Sequence, residues 1–205
     1  MKTLLVITGP QGSGNHLFSK IFALHPDVFG WSALLDQYWI GHDQEPFAEA
    51  WHNPKLLQEV EFNEYAVTSI SAPYVYKGIT TIPNYKEFVE EATRLGYAVK
   101  LAIIGRDKNI LKHQQLRVRD RVSLQDFESQ LPYLNSLNPV YISQELLYLY
   151  KAYYLQSIST LLNFPVNIND NDLDIILATD ANTKYFDACQ SQALDSVVRK
   201  VSGPG

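Results

Sequence analysis

Gly9, Gly12 and Gly14 fall within the run Gly9-Pro10-Gln11-Gly12-Ser13-Gly14-Asn15-His16 near the start of the chain. A glycine-rich turn between a buried strand and a helix binds phosphate, because backbone N–H groups converge on the anion and the helix N-terminus adds partial positive charge. Glycine supplies the positive φ angles and the close backbone approach that such a cradle needs. The spacing from Gly9 to Gly14 matches the G-x-x-x-x-G portion of a P-loop. Asn15 and His16, however, stand where a nucleoside triphosphatase carries Lys and then Ser or Thr. Without that lysine the charge on a γ-phosphate is poorly neutralised, and without the hydroxyl the usual magnesium ligand is missing. This weakens an ATPase or kinase reading and leaves an anion-binding loop.

The second concentration of chemistry lies between Arg106 and Arg121. Four Arg and two Lys there face only Asp107 and Asp120, a local charge of about +4 in a chain whose net charge is −5, which leaves about −9 for the remainder. On helical spacing Arg106, His113, Arg117 and Arg121 share one stripe, and Lys108, Lys112 and Arg119 share another. A guanidinium presents a planar fork to phosphate oxygens. Arg106 directly follows a predicted strand, and ligands of open α/β sheets bind at the C-terminal ends of strands.

The elements that must position these groups follow from periodicity. The apolar run from Lys2 to Thr8, closed by the glycines, suits a strand buried on both faces of a parallel sheet. From Asn15, residues Leu17, Phe18, Ile21, Phe22 and Leu24 recur at helical spacing until His25-Pro26. Residues 29–64 read as short helices and loops. A strand is expected over Ala66–Ser71, a helix over Tyr85–Leu95 stopped by Gly96, and a strong strand over Tyr97–Ile104 ending at Gly105-Arg106-Asp107. Further helices are expected over Asn109–Val122, Leu124–Leu137 and Tyr141–Leu162, then a short strand at Phe164–Ile168 and a closing helix at Thr183–Val201. Repeated strand-to-helix units predict an α/β fold with three layers, a P-loop-like arrangement with a central, mainly parallel sheet flanked by helices. The 205 residues are expected to form a single domain over 1–205.

Composition narrows the function classes. With 46% hydrophobic and 19% charged residues the chain can bury a large core. Its acidic balance argues against a nucleic-acid coat or a polybasic membrane binder, so any anion site must be local. No apolar run reaches the roughly 18 residues of a spanning helix. Cys189, the single cysteine, reads as a packing residue in a reducing compartment, and a cytoplasmic location is expected.

Two segments resemble a known family. Ser13-Gly14-Asn15-His16-Leu17, followed by a short helix ending in Ala23-Leu24-His25-Pro26-Asp27-Val28, is similar to the opening of sulfotransferases that use 3′-phosphoadenosine 5′-phosphosulfate, PAPS. Those enzymes open with a strand, Pro-Lys/Arg-Ser-Gly-Thr-Thr and a helix, often ending in His-Pro-Asp. The segment from Ala102 through Gly105-Arg106-Asp107 to Gln114 resembles the family's strand followed by Arg-Asp-Pro-x-Asp-Val-x-x-Ser, whose Arg and Ser hold the cofactor's 3′-phosphate. The two matches cover about 40 residues and lie in the family's order.

The resemblance implies a cradle of Gln11, Gly12, Ser13, Gly14, Asn15 and His16 for the 5′-phosphosulfate. Arg106, with either His113 or Gln114, would hold the 3′-phosphate, and a hydroxyl or amine would be the acceptor. There are departures. Gly12 occupies the position of the family's cation, His16 replaces a hydroxyl residue and would supply positive charge only if protonated, and the proline after Arg-Asp is absent.

Sulfuryl transfer needs a base for the acceptor and stabilisation of the departing phosphate. His16 and Asp36 are the leading candidates, and His42, Asp43, Glu45 and His52 are alternatives. His25, before a proline at a helix end, reads as a cap or packing residue. Asn167–Asp174 lacks the glycine and glutamate of a calcium loop and reads as a loop or helix cap. No His/Cys/carboxylate spacing suggests a metal. Trp31, Tyr38, Trp39 and Tyr74 are candidates to line a pocket for the adenine or the acceptor.

Overall fold

The computed structural model describes residues 1–31, 44–180, 182–187 and 189–191. In chain order it contains β1 (Thr3–Pro10), α1 (Asn15–Ala23), β2 (Val28–Phe29), α2 (Ala48–His52), a 3-10 turn at Pro54–Glu59, β3 (Tyr65–Ala72) and the hairpin strands β4 (Tyr74–Tyr76) and β5 (Ile79–Thr81). There follow α3 (Tyr85–Arg94), β6 (Ala98–Gly105), α4 (Lys108–Arg119), α5 (Leu124–Glu128), α6 (Leu131–Ser136), β7 (Val140–Ser143), α7 (Gln144–Leu162) and α8 (Asn171–Leu177).

The central sheet has five strands in the order β2-β3-β1-β6-β7, every pair parallel. β1 lies in the middle because its apolar residues alternate between two hydrophobic layers. Leu5 and Ile7 join Phe18, Phe22, Leu147, Leu155 and Leu173 on the side of α1, α7 and α8. Leu4 and Val6 join Trp51, Phe88, Phe127 and Leu134 on the side of α2, α3, α5 and α6. The result is the expected three-layer α/β fold with a central parallel sheet.

The helix ends follow sequence chemistry. Asn84 caps α3 by accepting from Glu87 N at 3.2 Å, and Gly96 leaves its C-terminus at φ 79°. Asp107 caps α4 by accepting from Asn109 N at 2.9 Å and Ile110 N at 3.0 Å. Asp170, in the acidic string, caps α8 through Asp172 N at 2.9 Å, which is the cap role expected there. His25, just past α1, orders the following turn, its Nδ1 accepting from Asp27 N at 3.2 Å.

The structure corrects four expectations. Tyr141–Ser143, expected as the first turn of a long helix, joins Val140 in β7 because the segment meets the open edge of β6 in parallel register. The expected strand at Phe164–Ile168 joins no sheet; Phe164 instead packs its ring edge-on against Phe22 and Tyr65. The expected helix over Leu124–Leu137 breaks into α5 and α6 ahead of Pro132. The α4 helix ends at Arg119 because Asp120 turns left-handed, at φ 54°. The closing helix is represented by helical residues at 183–187 and 189–191.

Candidate active site

β1 delivers the glycine run to the C-terminal edge of the sheet, where Pro10 is in register with Ala72 of β3. Ser13 N donates to Pro10 O at 3.0 Å and closes the turn. Gly12 and Gly14 take φ 87° and 104°, angles at which a side chain is strained. At Gly9 a Cβ would press on Ser13 and on Ile104 O, 3.0 Å away, so the close approach of β1 to β6 requires glycine. Phe18 N donates to Gly14 O at 3.1 Å as the first bond of α1, and the N–H groups of the preceding turn have no carbonyl within their own helix.

The loop is pinned from α4. Gln115, fully buried, donates through Nε2 to Gln11 O at 2.7 Å and accepts from Ser123 N at 2.9 Å. The Ser123 hydroxyl donates to Gln11 Oε1 at 3.0 Å. Gln11 therefore fixes the loop through its side chain. Ser13 Oγ donates to Asn15 Oδ1 at 3.1 Å, which orders the two polar side chains that enter α1.

Arg106, at the end of β6, reaches across to this loop although 94 residues separate it from Gly12. Its Nη1 donates to Gly12 O and to Gln114 Oε1, and its Nε donates to Asn182 Oδ1 at 2.9 Å. Gln114, one of the two residues expected beside Arg106, is in contact with it. The guanidinium is 8% exposed, and its Nη2 is buried without an acceptor. Burial holds its pKa below the ordinary arginine value.

Tyr185 lies under this cation, with the guanidinium carbons of Arg106 and Arg117 at 5.6 and 5.2 Å and Lys184 Nζ at 5.4 Å from its ring centroid. Its hydroxyl accepts from Arg117 Nη2 at 3.1 Å. Burial, then Arg117 and Arg106, lower the Lys184 pKa, a sign of crowded like charge.

On the other side of the loop the His16 ring meets Trp31 edge-on at 4.9 Å. Burial first, then Lys20 and Arg119, lower the His16 pKa to about 4. His16 is therefore neutral at physiological pH, and the positive charge expected from its protonated form is not available. The cations that act on His16 are Lys20, one turn along α1, and Arg119, whose Nη1 is buried without an acceptor.

Glu45 is 4% exposed beyond the end of β2, where it caps the edge of β3. Its Oε1 accepts from Thr68 Oγ1 at 2.6 Å and Ser69 N at 3.1 Å. Burial raises its pKa to about 7, against the pull of these hydrogen bonds. His52 stacks on Tyr76 at 4.6 Å, in the layer behind the hairpin. Trp31 and Tyr74 are buried, Trp31 against His16 and Tyr74 in the core layer of α2 and α3. Asp36, Tyr38, Trp39, His42 and Asp43 lie outside the described residues. Among the described residues no cluster of His, Cys, Asp and Glu is arranged to hold a metal, and no helix is long and apolar enough to cross a membrane. A cleft of about 590 Å³ lined by Lys2, Asp27, Phe29, Glu61, Phe62 and Asn63 lies at the opposite, N-terminal end of the strands.

No family model matches the chain, and no curated protein matches it. Among solved structures it is similar to mouse sulfotransferase SULT7A1 complexed with PAP, at 13% identity and a TM-score of 0.48 over 88% of this chain and 64% of that one. It is also similar to a de novo designed protein of P-loop NTPase fold, at 16% identity and a TM-score of 0.32 over 78% of this chain and 96% of that one. The chain thus spans 64% of the length of that sulfotransferase.

Sequence reasoning missed Lys20 as a contributor, although its spacing of four from His16 places it one turn further on the same helix face. It also missed Asn182, Lys184 and Tyr185, which no local motif connects to Arg106.

Proposed function

We propose that the chain binds PAPS and transfers its sulfuryl group to a hydroxyl or amine acceptor. The observation that carries this reading is the pair of buried guanidinium nitrogens without acceptors, Arg106 Nη2 and Arg119 Nη1, set beside a glycine loop at the C-terminal edge of the sheet. A buried cation without an anionic partner is costly, and a phosphate offsets that cost at both positions. The residues fit a nucleotide with separated phosphates. Gly12 to His16 would take the 5′ end on backbone N–H groups, while Arg106 and Gln114, beside Arg117 and Lys184, would take the 3′-phosphate.

When bound, PAPS supplies a sulfuryl group whose bond to the 5′-phosphate breaks as the acceptor oxygen or nitrogen bonds to sulfur. Lys20 and Arg119 face the departing charge, a role Gly12 cannot fill. Burial first, and then these two cations, depress the His16 pKa. An anion between them offsets the cations' share of that depression, and His16 is the leading candidate to accept the acceptor's proton. Asp36 is the second candidate for that proton.

Calorimetric titration with 3′-phosphoadenosine 5′-phosphate and with ATP, each with and without magnesium, tests the reading. Metal-independent binding of the 3′-phosphorylated nucleotide, with transfer of labelled sulfate from PAPS to an alcohol or amine panel, is the expected result. Magnesium-dependent ATP binding would replace it with a phosphoryl-transfer reading. Binding of the nucleotide without any transfer would leave a nucleotide-binding module, the reading that Gly12 and Asn15 favour.

A further inference from the structure

β7 runs parallel to β6 with Ser143 opposite Gly105, so the residues that follow the two strands, Gln144 and Arg106, leave the sheet side by side. Glu145 fixes this corner by accepting from Asp107 N at 2.8 Å. Gln144 itself is 2% exposed. Its carboxamide lies against the open face of Gly14 in the glycine loop, where a Cβ would stand 3.3 Å from Cδ and 3.4 Å from Oε1. Although it presses on the loop, Oε1 is buried and accepts from no donor among the described residues. A buried carbonyl oxygen without a donor weakens the fold, and a ligand that supplies the donor recovers the loss. Methionine would fill the same space without that cost.

We propose that Gln144 is a specificity-determining residue whose Oε1 accepts a hydrogen bond from the nucleoside of the bound nucleotide. The inference rests on the PAPS reading above, which sets the 5′ end on Gly12 to His16 and the 3′-phosphate on Arg106. A nucleoside 3′,5′-bisphosphate carries its ribose between those two anchors. Gln144 touches the first at Gly14 and, by strand register, neighbours the second, so it faces the nucleoside. The chemistry of the orphaned atom selects the same part of the ligand. Ionised phosphate and sulfuryl oxygens carry no proton to donate, so an amide oxygen gains nothing from them. The nucleoside offers O–H and N–H donors, the ribose 2′-hydroxyl and the adenine 6-amino group. A site built to take such a donor rejects the analogue that lacks it, because the buried acceptor is again left unpaired.

The test is calorimetric titration of wild type and Gln144→Met with 3′-phosphoadenosine 5′-phosphate, its 2′-deoxy analogue and inosine 3′,5′-bisphosphate, beside thermal melting of both proteins without nucleotide. Wild type is expected to bind one of the two analogues about 10- to 100-fold more weakly than the parent nucleotide. Loss with the deoxy analogue identifies the ribose hydroxyl as the donor, and loss with the inosine analogue identifies the base amine. Gln144→Met should bind the parent and that analogue alike. Free of nucleotide, it should melt at least as high as wild type, because it removes the orphaned oxygen. A wild type that binds all three nucleotides alike, or a variant that keeps the discrimination, overturns the assignment of Gln144 and leaves the PAPS reading standing. So does a variant that melts well below wild type, since the carboxamide would then serve the packing of the loop. A folded wild type that binds none of the three overturns both.

Discussion

Replacing Arg106 with methionine keeps the volume and apolar stem of the side chain and removes its charge and donors. In the unliganded protein the guanidinium is held by three neutral acceptors, Gly12 O, Gln114 Oε1 and Asn182 Oδ1. Each bond from a cation is worth about 1.5–3 kcal/mol, yet burying the cation itself costs several kcal/mol. The two terms nearly balance. The residual loss comes mainly from Asn182, which is buried and loses its partner, and amounts to about 1–3 kcal/mol. Ligand binding lacks that cancellation, because the desolvation has already occurred on folding. Removing a buried charge that faces a phosphate should cost about 2–4 kcal/mol, or roughly 30- to 1,000-fold in affinity. Calorimetry with 3′-phosphoadenosine 5′-phosphate, beside urea denaturation of the free proteins, measures both quantities. Arg106→Lys, which keeps the charge without the fork, should recover only part of the affinity. A folded Arg106→Met protein that binds the nucleotide as tightly as wild type would refute the assignment of Arg106 to phosphate.

Further outcomes follow from the loop and its neighbours. Gly12→Ala places a Cβ at φ 87° and 2.8 Å from the Gln114 side chain, so a stability loss of about 1–3 kcal/mol with weakened nucleotide binding is expected by denaturation and calorimetry. Tyr185→Phe removes the hydroxyl that accepts from Arg117 while keeping the ring beneath the cations. It should cost about 1 kcal/mol in stability and leave Arg106 in place. Glu45 and His16 give opposite pH dependences. The unfolded chain ionises Glu45 near 4.5 and the folded protein only near 7, so this contribution is present at low pH and is lost as pH rises between those values, by about 3 kcal/mol in all. His16 takes up its proton near 6.5 when unfolded and near 4 when folded, so its contribution is lost as pH falls across that span. The slopes oppose each other between pH 4.5 and 6.5. Glu45→Gln should therefore leave stability rising with pH in that window and His16→Gln should leave it falling; equal, flat profiles from urea denaturation would contradict both burials.

The sequence by itself determined the strand–loop–helix unit at the N-terminus, the glycine positions, the strand that ends at Arg106, the Gly96 stop of α3 and the acidic cap of α8. Each is local: β-branched runs, φ > 0 positions and short polar side chains act on their own few residues. It also set the three-layer α/β class, because buried strands alternating with amphipathic helices have few other ways to bury both faces. The tertiary structure decided what depends on an open edge or a distant neighbour. Val140–Ser143 became a strand because β6 offered it a parallel edge, whereas Phe164–Ile168, of similar local character, joined none. The charge state of His16 was likewise undetermined by its loop, since burial beside Lys20 and Arg119 sets it. Gln114 meets Arg106, and Tyr185 joins the same cations, because chain closure at the sheet's C-terminal edge brings remote segments together. Desolvation and the summed field of neighbouring charges are properties of that closed arrangement, and no spacing along the chain encodes them.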